Sequence, residues 1–144
     1  MKVKDIMTHK VSTVAPSDSI EHAAKIMKQL HCGSTPVVEG GKVVGIITDR
    51  DISIKAVAEG KGPNTAVKDI MFTQVVTCTP ETDARQAADI MADKQIRRLP
   101  VIDQGKLVGI VAIGDLARVD IFTHESGHAL SDISEPSQRP NAVQ

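Results

Sequence analysis

The 144-residue chain has no Trp, no Tyr and two Phe, Phe72 and Phe122. Its core must therefore be packed from Ile, Val, Leu, Met and Ala. Few aromatics also argue against single-stranded nucleic acid as a partner, because its bases stack on such side chains. An excess of positive charge is missing too. Seventeen Lys and Arg face eighteen Asp and Glu, for a net charge of −1 and a sequence pI near 6.5, which leaves no basic footprint for duplex binding. Two cysteines, Cys32 and Cys78, are too few for a disulfide framework and match no zinc-knuckle spacing. One bridge between them is open to the chain, but a reduced, cytoplasmic setting is the expectation. No run approaches the ~18 apolar residues of a membrane helix. The charged Met1–Asp5 start is followed by no apolar h-region, so no secretory signal is expected. What is present, 41% apolar and 24% charged residues, is an ordinary globular composition.

The dominant positive feature is an internal repeat. A shift of 64 positions lays Val3–Ile52 over Val67–Leu116 without a gap. Val3-Lys4-Asp5-Ile6-Met7 returns identically as Val67-Lys68-Asp69-Ile70-Met71, Pro36-Val37 as Pro100-Val101, Val44-Gly45-Ile46 as Val108-Gly109-Ile110, and Asp51 as Asp115. Two copies are too few for a solenoid. A unit of this size cannot bury its sheet alone and is expected to pair with its twin. The expected segments are 1–64 for the first repeat with its connection, 65–120 for the second, and 121–144 for a C-terminal extension.

Each copy reads as β-α-β-β-α. A lead-in turn over Val3–Met7 precedes a brief β-branched strand over Val11–Val14, which Pro16 ends. Asp18 and Glu21 have the spacing of a capping box, with Thr82 as the equivalent cap in the second copy. Ile20, Ala23, Ala24, Met27 and Leu30 form one apolar helix face, and Gly33 suits its C-terminal cap. Strands over Pro36–Val38 and Lys42–Thr48 are joined through Glu39-Gly40-Gly41. Their apolar character implies burial on both faces. A last helix runs from Arg50 to Ala58, where Gly60-Lys61-Gly62-Pro63 stops it. The fold class is α+β, two tandem repeats related by pseudo-two-fold symmetry.

Chemistry concentrates where the second strand meets the last helix, at Gly45–Asp51 and Gly109–Asp115. A carboxylate in that first helical turn has about four lone-pair sites and can accept from both hydroxyls of a ribose. It can equally serve only the helix macrodipole, for ~0.3–1 kcal/mol. Thr48 offers a hydroxyl beside free helix N–H groups, or simply caps the helix. The second copy has Ala112 in its place. Conversely, Arg97 and Arg98 in the second copy stand where the first has Gly33 and Ser34. Taken alone, two arginines after the apolar Ile96 read as solvated surface charges.

The repeated Gly-apolar-apolar-Thr-x-x-Asp corner and x-x-Pro-Val strand resemble the CBS (cystathionine β-synthase) domain, tandem pairs of which form the Bateman module. The resemblance covers about Val3–Ala117 and is nearest to small stand-alone bacterial CBS pairs, of the Bacillus and the mycobacterial hypoxic-response types. It implies regulation without catalysis. AMP, ADP, ATP, NAD or S-adenosylmethionine would sit between the repeats as a regulatory ligand, with no obligatory cofactor. It implies ribose contacts from Asp51 and Asp115 with Thr48, Arg50 and Gly114 beside them, and phosphate contacts from Arg97 and Arg98. Backbone contacts to adenine would come from Thr13, Val14, Thr77 and Cys78. Ser34, Thr35 and Pro36, with Leu99 and Pro100, would wall the base, although core packing accounts for Leu99 equally well. It further implies a homodimer and an effector protein of unknown identity. The competing expectation is a purely structural dimerisation module with degenerate sites.

His124-Glu125-Ser126-Gly127-His128 matches His-Glu-x-x-His, the zinc-protease pattern. That chemistry needs a third ligand and a scaffold. Gly127 within it costs a helix ~1 kcal/mol relative to Ala, and no substrate domain remains to be built. A zinc hydrolase is therefore disfavoured, with His124 and His128 kept as weak metal candidates. Ala129–Ile133 is expected to form an apolar-faced turn, and Ser134–Gln144 to be disordered.

Overall fold

The repeat in the sequence is a repeat of backbone. The computed structural model describes residues 1–119 and 123–136, with 123–126 by their backbone alone. In the first repeat α1 (Ile20–Leu30) leads into the hairpin β1 (Ser34–Glu39) and β2 (Lys42–Thr48). β2 runs directly into α2, which is α-helical over Asp49–Asp51 and π-helical over Ile52–Val57. The second repeat gives α3 (Ala84–Lys94), β3 (Arg98–Asp103), β4 (Lys106–Ala112) and α4 (Ile113–Ala117). α5 (Thr123–Ser134) follows, and short 3-10 turns, Val3–Asp5 and Val67–Asp69, open the two repeats. The class is α+β, as expected.

Both hairpins are antiparallel, with the same register and the same irregularity. Ser34 pairs with Thr48 and Arg98 with Ala112, and a bulge follows Val37 and Val101. The turns use positive φ at Gly40 and Gly41, and at Gln104 and Gly105. The Val11–Val14 strand contracts to one residue. Val14 bridges Val37 in parallel, donating to the Pro36 carbonyl and accepting from Val38. Cys78 does the same beside Val101. Pro16 and Pro36 have no N–H to donate, so the ladder cannot lengthen there.

The helix caps fall one residue later than the sequence suggests. Ser19 caps α1 and accepts from the His22 N–H at 3.1 Å, and Asp83 caps α3 through the Arg85 N–H at 2.9 Å. Asp18 and Thr82 instead close the preceding turns, accepting from Ala15 N–H and Thr79 N–H. At the other end His31 and Gln95 take the left-handed conformation, so Gly33 is not the cap. Ile20, Ala23 and Met27 are buried on α1, whereas Leu30 is 52% exposed.

The repeats exchange their lead-ins. The described residues pack as two units, Ser12–Val75 and a second in which Met1–Val11 joins the second repeat from Val76 onward. Val3 donates to the Thr82 carbonyl and is fully buried among Ala84, Met91, Val111 and Leu116. Val67 donates to the Asp18 carbonyl and is fully buried among Ile20, Val37 and Ile47. Each lead-in then crosses a hairpin strand over a glycine. A Cβ on Gly45 would stand 2.6 Å from Met71 Sδ and 3.0 Å from the Phe72 carbonyl oxygen. On Gly109 it would stand 2.8 Å from both Met7 Sδ and the Thr8 carbonyl oxygen. The motif glycines are thus needed for close backbone approach, sealed by paired hydrogen bonds between Ile46 and Phe72 and between Ile110 and Thr8.

α5 packs against α3 and α4. Ala129 is buried, Ile133 lies against the second-repeat core, and Gln95 Nε2 donates to the Asp132 and Glu135 carbonyls. The expected Ala129–Ile133 turn is therefore part of a longer helix. Most of the expected disordered tail lies outside the described residues.

Candidate functional site

The two strand-to-helix corners share a frame and differ in what fills it. In the first, Thr48 and Asp51 form a reciprocal capping box. Thr48 Oγ1 accepts from the Asp51 N–H at 3.0 Å, and Asp51 Oδ2 accepts from the Thr48 N–H at 3.0 Å. Asp51 is 7% exposed, and its Oδ1 lies 3.2 Å from Lys55 Nζ. The capping role is thus real for both residues. Two of the four lone-pair sites are taken, and two remain for hydroxyl donors.

In the second corner Ala112 can supply no hydroxyl. Its N–H still donates to Asp115 Oδ2 at 2.8 Å, and Asp115 is 8% exposed. Asp115 Oδ1 pairs with the Arg118 guanidinium. The cation therefore comes from non-equivalent positions, since Lys55 corresponds to Val119 and Arg118 to Ile54. Sequence reasoning missed Lys55 and Arg118, although Asp–Lys at i,i+4 and Asp–Arg at i,i+3 are the spacings at which helix side chains meet.

The entrance to each hairpin lies beside its corner. Asp49 N–H donates to the Gly33 carbonyl at 2.9 Å, and Ile113 N–H to the Arg97 carbonyl at 2.9 Å. Arg97 is exposed and Arg98 half-buried, and neither has an ion-pair partner among the described residues. In the first corner the Asp49 carboxylate lies over Gly33, with Oδ2 3.0 Å from where a Cβ would be. Asp49 was not foreseen, and a glycine opposite an acidic helix start was its only signal.

The other candidate positions divide between the two units. Thr13, Val14, Ser34, Thr35, Pro36 and Arg50 belong with Thr48 and Asp51, whereas Thr77, Cys78, Leu99, Pro100 and Gly114 belong with Asp115. Thr13, Thr77, Arg50 and Gly114 are exposed, and Val14, Ser34, Pro36 and Pro100 are buried. Leu99 is a core residue. Thr35, its equivalent, is 1% exposed, and its Oγ1 has no hydrogen-bond partner among the described residues. Cys32 and Cys78 are both free thiols. Burial pushes the Cys78 thiol up to about 11, which leaves it a small apolar core residue at neutral pH.

The His124 and Glu125 side chains lie outside the described residues. His128 Nε2 lies 3.4 Å from Asp132 Oδ2. Among the described residues no group of three or more His, Cys, Asp or Glu could hold a metal ion, and no helix is long and apolar enough to cross a membrane.

The CBS-domain profile matches residues 3–56 and 67–121. The chain belongs to the CBS-domain family. This CBS pair is 46% identical over 132 residues to the CBS domain-containing protein YhcV of Bacillus subtilis, covering 92% of this chain and 94% of that one. It is 33% identical over 142 residues to Hypoxic response protein 1 of Mycobacterium tuberculosis, covering 97% and 96%. Among solved structures, the CBS domain pair of protein MJ0100, in complex with 5′-methylthioadenosine and S-adenosyl-L-methionine, superposes with a TM-score of 0.75. That match has 33% identity and covers 87% of this chain and 98% of that one. Hypoxic Response Protein I with two coordinated zinc ions gives a TM-score of 0.75 at 32% identity, covering 82% and 98%.

Proposed function

We propose that this CBS pair is a regulatory module that binds an adenosyl ligand at its strand-to-helix corners and passes the state of occupancy to an effector protein. The observation that carries the reading is the recurrence of a buried carboxylate, Asp51 and Asp115, on the same backbone frame although the surrounding side chains differ. Its recurrence with Ala112 in place of Thr48 and with the cation on a different residue supports a role beyond the cap. Two unused lone-pair sites suit the two hydroxyls of a ribose. The adenosyl compounds held by the MJ0100 pair support the ligand class. Arg97 and Arg98, without ion-pair partners among the described residues, suit the phosphates of AMP, ADP, ATP or NAD.

The module acts without chemistry of its own and works as a homodimer. Exposed Leu30, Ile54 and Val57 on α1 and α2 supply apolar surface for self-association. Two free thiols suit a reducing, cytoplasmic setting. The purely structural alternative requires corners with no capacity left, and the lone-pair count argues against it.

Thermal shift against AMP, ADP, ATP, NAD, S-adenosylmethionine and 5′-methylthioadenosine tests the reading. A ligand at 100 times its Kd should add about 2.7 kcal/mol. Asp51→Ala should weaken adenosine more than 2′,3′-dideoxyadenosine, and Arg97→Ala should weaken ATP more than adenosine. No shift with any adenosyl compound would sink the reading.

A further inference from the structure

We infer that Asp49 sets the ligand class of the first-repeat corner: it refuses a 5′-phosphate and favours an adenosyl compound whose 5′ substituent is neutral or positively charged. The inference rests on the adenosyl-binding reading and assigns the two corners to different ligands.

The two corners can be compared atom for atom because their frames coincide. Residue 33 and residue 97 each accept, through the carbonyl, from the first helical N–H beyond the hairpin. At 97 an arginine leaves this point, and the facing residue is the uncharged Ile113. At 33 there is no side chain, and the space is already taken. The Asp49 carboxylate sits with Oδ2 3.0 Å, and Cγ and Oδ1 3.3 Å, from the position of a Cβ. The first corner has therefore exchanged a cation for an anion at the same place. Glycine is what allows the anion to lie there.

The exchange changes the charge balance of the two corners. Around the first corner Arg50 and Lys55 balance Asp49 and Asp51, and Lys55 is committed to Asp51. Around the second, Arg118 pairs with Asp115, and Arg97 and Arg98 add two further cations without an ion-pair partner among the described residues. A phosphate entering the first corner meets an exposed carboxylate whose Oδ1 is held by the Arg50 N–H at 2.8 Å. Like charges at that range repel, and a sulfonium or thioether in the same place does not. A side chain with the reach of Arg97 cannot be restored at 33 without moving Asp49.

Methyl NMR on the full chain resolves the corners, because Ile52 reports the first, and Ile113 and Leu116 the second. The probes are ATP and 5′-methylthioadenosine. In the wild type, ATP should shift Ile113 and Leu116 at concentrations that leave Ile52 unmoved, while 5′-methylthioadenosine should shift Ile52. Asp49→Asn keeps the shape and removes the charge. It should raise ATP affinity at Ile52 about fivefold, the factor for one unit charge at contact distance in water, and change 5′-methylthioadenosine less than twofold. Equal ATP response at both corners of the wild type, or equal gains for both probes in Asp49→Asn, overturns the inference and leaves the adenosyl reading standing. Silence of every methyl to both probes overturns both.

Discussion

Lys55 Nζ lies 3.2 Å from Asp51 Oδ1, one helical turn on, while the guanidinium that meets Asp115 belongs to Arg118, at a position the first repeat fills with Ile54. The two repeats have reached the same pairing from different places. A buried carboxylate is costly unless it is hydrogen-bonded and paired, so each corner is held to having a cation nearby rather than to one residue. The pairs are not equally exposed. The Lys55 side chain is 27% exposed and that of Arg118 is 77% exposed.

Lys55→Met should therefore destabilise the first unit by about 1–3 kcal/mol, the cost of leaving a buried acceptor short of its partner. Arg118→Met should cost no more than about 1 kcal/mol, as exposed pairs do. Urea denaturation compares them. A loss from Arg118→Met as large as that from Lys55→Met would mean that exposure does not rank the two pairs.

The hydroxyl present at Thr48 and missing at Ala112 gives a second test. The two residues share a backbone conformation, φ −118 and ψ 162 against φ −117 and ψ 158, so a hydroxyl fits at 112 without strain. Thr48→Ala should lose about 1 kcal/mol and Ala112→Thr should gain a similar amount. No gain at 112 would show that the Asp115 N–H is already satisfied.

At the crossings, Gly45→Ala and Gly109→Ala should each cost about 1–3 kcal/mol from overpacking. Met7→Ala should restore only part of the Gly109→Ala loss, because the Thr8 carbonyl oxygen at 2.8 Å cannot withdraw. Complete rescue in thermal melts would place the whole conflict at the sulfur.

Thr35→Val removes a buried hydroxyl that has no partner among the described residues and replaces it with a methyl of similar shape. It should stabilise the protein by about 1 kcal/mol. A destabilised variant would reveal a bound water on Oγ1, and a stable variant with weakened adenosine binding would make Thr35 a ligand contact.

Cys78 carries the pH test. Its folded thiol ionises near 11, against 9.0 for an ordinary thiol, because burial disfavours the thiolate. The unfolded chain loses the proton first, so stability from this group is intact below pH 9 and falls as the pH rises toward 11. Cys78→Ala should flatten the fall in stability between those values. In the native protein at pH 8, Cys32 should react with a thiol reagent faster than Cys78, and equal rates would contradict the burial.

Helices, hairpins and the corner carboxylates were legible in the sequence because each follows from local chemistry. An apolar residue every third or fourth position makes α1 and α3, a glycine turn between apolar runs makes each hairpin, and Asp51 returns as Asp115 at a fixed spacing. The caps were displaced by one residue because Asp18 and Ser19 are both competent, and only the preceding turn decides between them. The Val11–Val14 strand is shorter than its composition suggests because its ladder is cut by its own Pro16 and by Pro36 of the hairpin it meets.

By itself the sequence determined a twofold α+β repeat of the CBS family, with two carboxylate corners made unequal by Thr48, Ala112 and Arg97. The tertiary structure alone decided that Val3 is buried with the second repeat and Val67 with the first, since a repeat read along the chain cannot say which copy a lead-in packs against. It also decided that Lys55 and Arg118 pair with the corner carboxylates and that Asp49 lies over Gly33. Such pairings depend on where a helix starts relative to a hairpin's entrance, a distance in space that no spacing along the chain records.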